Sequence, residues 1–228
     1  MYSYEYPHPA VTVDSVVFGL DGEELKILLI KRKLEPFKGS WALPGGFIQM
    51  DEDIGDAARR ELQEETGISD IYLEQLASFG HPNRDPRERV ITIAYFAIVN
   101  LFDYAVKADS DAEKAEWFPV ESPPKLAFDH QSILETATKR LQRKIQYQPL
   151  VFEFLSEKFT LTQVQHLYET ILCRKLDKRN FRKKIQGTDL LIPLEEYEMD
   201  VSHRAARLYR FDKDRFEELA AKGFEFAV

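Results

Sequence analysis

Long apolar runs separated by short Gly/Pro breaks dominate the first half of the chain. Residues 10–20, "AVTVDSVVFGL", and 25–32, "LKILLIKR", are dense in β-branched and aliphatic side chains and predict two strands. Asp21-Gly22 in the intervening "DGEE" is a hairpin signal. "GSWALPGGFI" is an extended, punctuated segment. Residues 53–66, "DIGDAARRELQEET", are strong helix formers that stop at Gly67, a residue suited to the left-handed position after a helix. "ERVITIAYFAIVNL" (88–101) suits one long strand, and "AEWFPV" a short one. After the Pro123-Pro124 break, "DHQSILETATKRLQRKIQ" (129–146) predicts a helix with Ile133, Leu134, Ala137 and Leu141 on one side. "YQPLV" marks a change near Tyr147–Pro149. The pattern therefore predicts a mixed α+β first domain, residues 1–148, and a second domain, 149–228.

The second domain opens with "FTLTQVQHLYETIL" (159–172). Thr160 and Gln163 have the spacing of a capping box, and Phe159 and Val164 that of a hydrophobic staple. Leu161, Val164, Leu167, Tyr168, Ile171 and Leu172 form one apolar face. A short turn, "CRK", leads to a second helix capped by Asp177, with Leu176 and Phe181 as its staple pair. With Phe181 and Ile185 facing inward, Arg179, Arg182, Lys183 and Gln186 fall on the opposite side at 100° per residue. Two capped helices joined by a short turn, the second basic outside, predict a helix-turn-helix. "LLIPL" (190–194) and "ARLYRF" (206–211) fit two strands of a wing whose loop holds His203 and Arg204.

Charge sharpens this division. The net charge is −8. Residues 1–148 carry 17 Lys and Arg against 25 Asp and Glu, whereas 149–228 carry 14 of each. Residues 174–184 hold seven basic side chains and one acid, Asp177, which points one segment toward a polyanion. The single Cys173 excludes an internal disulfide and is expected as a small buried residue in a turn. The N-terminal residues lack a basic region followed by an apolar one, and no apolar run reaches the length of a membrane span, so no membrane association and a cytoplasmic location are expected.

The helix in the first domain carries the other chemistry. Glu61, Glu64 and Glu65 fall at i, i+3 and i+4 and share one face, where like charges repel unless solvent or a divalent cation offsets them. Hard oxygen ligands suit Mg²⁺ or Mn²⁺, and those ions suit a phosphate-bearing ligand. The full spacing, Gly46, Glu52, Arg60-Glu61-Leu62, Glu64-Glu65, Gly67-Ile68, resembles the Nudix box, G-x5-E-x7-R-E-U-x-E-E-x-G-U with U aliphatic, at every fixed position. The resemblance implies an α/β/α sandwich around a mixed sheet. It also implies Glu61, Glu64 and Glu65 as metal ligands, with Glu61 and Arg60 as catalytic residues if the protein is a hydrolase. Glu52 and Arg60 would support the ligands, and Glu113 or Glu116 would supply a further acid. One departure is "GGFIQMDE": Gln49 and Asp51 stand where many Nudix hydrolases carry an acid and a glycine, and a carboxamide cannot bring a full charge to a metal.

A second resemblance covers nearly the whole chain. A Nudix domain followed by "FTLTQVQHLYETILCRKLDKRNFRKKI" and "HRAARLYRF" looks like the Nudix-related transcriptional regulators, which control NAD biosynthesis or sugar use in bacteria. "YPHPAVTVDSVVF", "GGFIQMDE", "RDPRERVITIAY" and "LAFDH" resemble the same group. Glu88, where NAD-linked members carry a small residue, and Cys173, where Gly is usual, depart from it. The resemblance implies a homodimer on an inverted-repeat, double-stranded DNA operator, acting as a repressor. The first domain would bind an ADP-ribose-like or pentose sugar effector, with Arg84, Arg87 and Arg89 as candidate contacts. Lys178, Arg179, Asn180, Arg182, Lys183, Gln186, His203 and Arg204 are the candidate DNA contacts, with Arg suited to guanine, Asn180 to adenine and Lys to phosphate. Two other functions stay open: a Mg- or Mn-dependent Nudix pyrophosphatase acting on ADP-ribose or a related compound, and an RNA-binding Nudix protein. The basic face offers no aromatic side chain for base stacking, which weighs against the last.

Overall fold

The computed structural model describes residues 5–21, 24–101, 112–199, 204–224 and 226, with backbone only at 112 and 113. The chain forms two compact units: Met1–Asp21 with Leu25–Thr138, and Lys139–Val228 with Gly22–Glu24. The division falls inside a helix, so the change foreseen at 148/149 lies within the second unit. The turn residues Gly22 and Glu23 lie outside the described residues.

Seven strands form the mixed sheet of the first unit. They are β1 (Ala10–Asp21), β2 (Glu24–Arg32), β3 (Trp41–Ala42), β4 (Gly45–Phe47), β5 (Glu74–Phe79), β6 (Val90–Asn100) and β7 (Ala112–Pro119). The main path runs β3-β2-β1-β6-β5, with β4 on β1 and β7 on β2. β1 runs parallel to β6, from Ala10 opposite Val90 to Leu20 opposite Asn100, and the β1–β4, β2–β3, β2–β7 and β5–β6 pairs are antiparallel. β1 is buried from Thr12 to Leu20, which explains its near-continuous apolar run: a central strand covered on both faces has no solvent side to alternate toward.

α1 (Ile54–Thr66) packs on this sheet. Ala57 and Ala58 meet Val13 and Tyr95, and Leu62 meets Val17, Leu28, Ile68 and Val99. Asp53 caps its start by accepting from the Gly55 N–H, and Gly67 closes it at φ 74°. α2 (His130–Lys144) buries Ile133, Leu134, Ala137 and Leu141, the stripe its spacing predicts.

In the second unit, a 3-10 turn at Leu150–Phe154 precedes α3 (Leu161–Leu172) and α4 (Lys178–Gln186). β8 (Leu191–Tyr197), β9 (Arg207–Phe211) and α5 (Lys213–Ala221) follow. β8 and β9 are antiparallel, and Phe159 exchanges backbone hydrogen bonds of 3.0 and 2.7 Å with Tyr209, adding a third short edge. Val164, Leu167, Tyr168, Ile171, Phe181, Ile185 and Leu190 are buried, and Tyr168 meets Phe181 edge-on at 5.4 Å. Mixed sheet first and winged helix second is the predicted fold class. Cys173 corrects one expectation. It is exposed rather than buried: it is the left-handed C-cap of α3, φ 51°, at the point where the chain leaves the helix and its apolar face.

Candidate functional site

The box residues are held by Arg60. Its Nε donates to Glu52 Oε2 at 2.9 Å and its Nη2 to Glu52 Oε1 at 2.7 Å, a two-pronged pair. Its Nη1 donates to Glu61 Oε1 at 2.8 Å and to Glu64 Oε2 at 3.2 Å. Arg60's hydrogen bonds hold Glu52 down to about 2, helped by the Gln49 N–H. Glu65 turns the other way. It accepts from the Gly45 N–H at 2.8 Å, and burial pushes it up to about 8. Burial also raises Glu61. The two glycines ahead of α1 permit this packing: a Cβ on Gly45 would stand 2.1 Å from the Val13 carbonyl oxygen, and one on Gly46 2.6 Å from the Glu61 carboxylate.

Glu61 and Glu65 line a cavity of about 370 Å³, together with Asp14, Glu35 and Asp85. Glu64 lies outside that lining, half of its side chain exposed against Arg60. Among the described residues, no group of three or more His, Cys, Asp or Glu is disposed to hold a metal ion. As arranged, then, the residues do not form a three-carboxylate centre. Gln49 lines the cavity, Glu116 on β7 does not and pairs with Lys114 at 3.4 Å, and the side chain of Glu113 lies outside the described residues.

Part of the cavity lining is cationic and aromatic. The Arg32 guanidinium stands 4.8 Å over the Phe128 ring, and that of Arg87 stands 5.8 Å from Phe128 and 5.3 Å from Phe47. Asp85 orients Arg87 through hydrogen bonds from its backbone N–H, Nε and Nη2 at 2.9, 3.0 and 2.7 Å. Burial and the neighbouring Arg87 charge both lower the pKa of Arg32. Arg32 is anchored by donating to the Pro36 and Leu34 carbonyls, so two guanidiniums, each held in place, share the Phe128 ring. Arg84 does something else. It is buried, and it donates to Asp129 at 3.0 and 2.8 Å and to Asp14 at 3.2 Å. His130 completes this knot: its Nδ1 accepts from the Leu43 N–H at 2.9 Å, and its Nε2 stands 3.4 Å from Asp14 Oδ1. Arg89 is exposed, outside the cavity lining, and donates to the Val90 carbonyl. Sequence reasoning missed Arg32, Asp14, Phe128, Asp129 and His130 as site residues. The signal was present, because "VTVDS" and "LAFDH" contain four of them.

The second unit gathers the basic face. Lys178, Arg179, Asn180, Lys183 and Gln186 are exposed on α4, and so is Lys184. Arg182 is half-buried and its Nη2 donates to Thr162 Oγ1 of α3 at 3.1 Å. Arg204 is exposed, and His203 lies outside the described residues. The predicted capping box is present: Thr160 Oγ1 accepts from the Gln163 N–H and Gln163 Oε1 from the Thr160 N–H. Asp177 caps α4 by accepting from the Asn180 N–H at 2.8 Å. A further clamp was not foreseen. Glu169 accepts from the Leu176 N–H at 2.9 Å and from Lys175 Nζ at 3.0 Å, and those bonds hold its carboxyl down to about 2.

Residues 8–175 match the NUDIX domain family, and residues 151–211 match the NrtR DNA-binding winged helix domain. A curated relative in Acinetobacter baylyi, described as an ADPR responsive transcriptional repressor, is 40% identical over 211 residues, covering 91% of this chain and 84% of its own. The chain belongs to the Nudix-related transcriptional regulators. An ADP-ribose pyrophosphatase of Methanocaldococcus jannaschii is 45% identical over 130 residues, 57% of this regulator and 73% of that enzyme. NrtR of Shewanella oneidensis, solved with a 27mer DNA, superposes with a TM-score of 0.76 at 32% identity, over 95% of this chain and 97% of that one. The Nudix domain of the same protein, solved with ADP ribose, gives 0.56 at 35% identity, over 60% and 90%. The regulator is thus homologous, across both domains, to ADP-ribose-responsive repressors. Among the described residues, no helix is long and apolar enough to cross a membrane.

Proposed function

We propose that the regulator is a cytoplasmic homodimeric repressor that binds an inverted-repeat operator through α4 and responds to ADP-ribose in the cavity of its Nudix domain. The observation that carries this is a cavity whose lining is in part cationic and aromatic, in the same chain as a winged helix whose α4 exposes four Lys or Arg side chains. A diphosphate suits Arg32 and Arg87, and an adenine or ribose suits the Phe47 and Phe128 faces. A pentose offers no charge to the two guanidiniums, which favours ADP-ribose over a free sugar. Residues 1–148 are the sensing domain in this reading and 149–228 the DNA-binding domain. Lys178, Arg179, Asn180, Lys183, Gln186, His203 and Arg204 contact the duplex, and Arg182 acts beside them from its bond to Thr162.

Arg179→Ala with Arg182→Ala should abolish binding to duplexes selected from a random pool, while sizing chromatography still shows a folded dimer. Unchanged affinity in that variant sinks the assignment. A thermal-shift panel of ADP-ribose, NAD and L-arabinose should single out ADP-ribose, since a ligand bound only by the native state stabilises it by about 2.7 kcal/mol at 100 times its Kd.

A second reading, Mg²⁺- or Mn²⁺-dependent hydrolysis of ADP-ribose, is favoured by the complete box and by the identity with the Methanocaldococcus enzyme. Glu61 and Glu65 would hold the ion, which would supply the charge that activates water. Glu64 and Arg60 would support them. AMP release that disappears in Glu64→Gln with Glu65→Gln supports this reading, and its absence from the unmodified protein rejects it.

A further inference from the structure

Besides the outer face of α4, the second unit holds another concentration of positive charge. A cleft of about 460 Å³ lies between the last turns of α2 and the end of α3, lined by Lys139, Gln142, Arg143, Gln146, Leu172 and Arg174. Half of those residues are cations and none is an acid. Lys139 and Arg143, at i and i+4, share one face of α2, and Arg174 joins them from the turn after α3. The two walls are tied together, because Gln142 Nε2 donates to the Ile171 carbonyl at 3.0 Å.

Cations in such a place commonly offset the negative ends of helices. Arg143 does stand in the last turn of α2. The final carbonyls of that helix, from Leu141 to Lys144, nevertheless accept from the backbone N–H groups of 145–148 and from Gln146 Nε2. Those at the end of α3 are likewise served by other groups. The Cys173 N–H caps Glu169 and Thr170, the Arg174 backbone N–H also reaches Glu169, and Gln142 takes Ile171. Among the described residues, none of the three charged heads makes an ion pair or a hydrogen bond. The nearest acids in sequence are engaged: Glu135 accepts from Gln131, and Glu169 holds Lys175, Gln165 and the Leu176 N–H. Three like charges in one tied cleft repel one another, and an anion relieves that cost.

We infer that this cleft is a second phosphate-binding site, and that the phosphates belong to the backbone of duplex DNA running beside α4. This rests on the DNA-binding reading above. Arg174 begins the basic run 174–184 that continues onto α4, so a polyanion lying on α4 is the anion at hand. The lining offers no aromatic face for a base and only Leu172 as apolar surface, so it takes phosphate without reading sequence.

The test needs no known operator, because non-specific binding is dominated by phosphate contacts. Full-length protein is titrated with a random-sequence duplex of about 30 base pairs at salt concentrations from about 50 to 200 mM. Lys139→Gln with Arg143→Gln and Arg174→Gln should weaken binding roughly tenfold and reduce the salt slope by about 1 for each phosphate no longer neutralised. The charge-keeping variant Lys139→Arg with Arg143→Lys and Arg174→Lys should retain the slope, which a purely structural role would not predict. Wild-type binding matched by the neutralised variant overturns the cleft and leaves the α4 assignment standing. Wild-type protein that binds no duplex fails the DNA reading itself, and the cleft with it. If the neutralised variant instead loses thermal stabilisation by ADP-ribose or inorganic phosphate, the cleft holds a small anion and the DNA assignment is overturned.

Discussion

Arg84 and Arg87 are three positions apart and do opposite work. Arg84, which lines the cavity too, directs its donors at Asp14 and Asp129 inside the protein. Arg87 is oriented by one carboxylate and rests on two rings that open onto the cavity. Both stay candidate effector contacts, and "RDPRER" shows residue types but not which carboxylates meet them. Asp14 and Asp129 come from β1 and from the residue before α2, contacts fixed only by the fold. His130, between them, has a pH consequence. Burial lowers its pKa below the usual imidazole value, with Asp14 and Asp129 opposing and Arg84 and Arg32 reinforcing. The unfolded chain therefore takes up a proton near pH 6.5 that the folded chain refuses, and stability falls as pH drops below that value. His130→Asn keeps an acceptor for the Leu43 N–H and cannot titrate. Its stability should be flatter than wild type from pH 6.5 downward in denaturant titrations. Parallel curves would show that His130 is not buried in its neutral form.

At the level of elements, what could be read early was local. Caps at Thr160 and Asp177, the stop at Gly67 and the buried stripe of α2 depend on residues within a turn or two of one another, and the structure has all of them. β5 went unread because "EQLASF" is a short strand with a register shift between Gln75 and Ala77, so its alternation is weak. α5 went unread although Asp212 caps it by accepting from the Arg215 N–H. The clamp by Glu169 was invisible for another reason: it joins a side chain in α3 to a backbone N–H seven residues on, across a turn whose path the sequence does not specify. Glu169→Ala should destabilise the protein by about 1–2 kcal/mol near neutral pH. Because the folded pKa is depressed to about 2, that difference should shrink as pH falls from about 4.5 toward 2. DNA affinity should fall as well, since the turn that orients α4 is loosened. Equal melting temperatures at neutral pH would show the clamp to be inert.

Across the whole molecule, the −8 net charge lies in residues 1–148, the sensing domain of the proposed function, and residues 149–228 are neutral overall. A repressor built this way needs the effector to favour one arrangement of the protein over another, and a swing from 1:99 to 99:1 requires about 5.5 kcal/mol of differential affinity. Linkage then sets a strict test. If ADP-ribose weakens operator binding by some factor, operator DNA must weaken ADP-ribose binding by the same factor. Calorimetry of ADP-ribose with and without a saturating selected duplex should return that factor, and an ADP-ribose affinity indifferent to DNA would sink the coupling. The outward-turned Cys173 offers a way to follow such coupling directly. It is the sole cysteine of the chain, its thiol is exposed, and it stands at the elbow between α3 and α4. A thiol-reactive fluorophore would therefore attach at one known atom, beside the basic face, and turn the unmodified sequence into its own optical reporter of duplex capture and release.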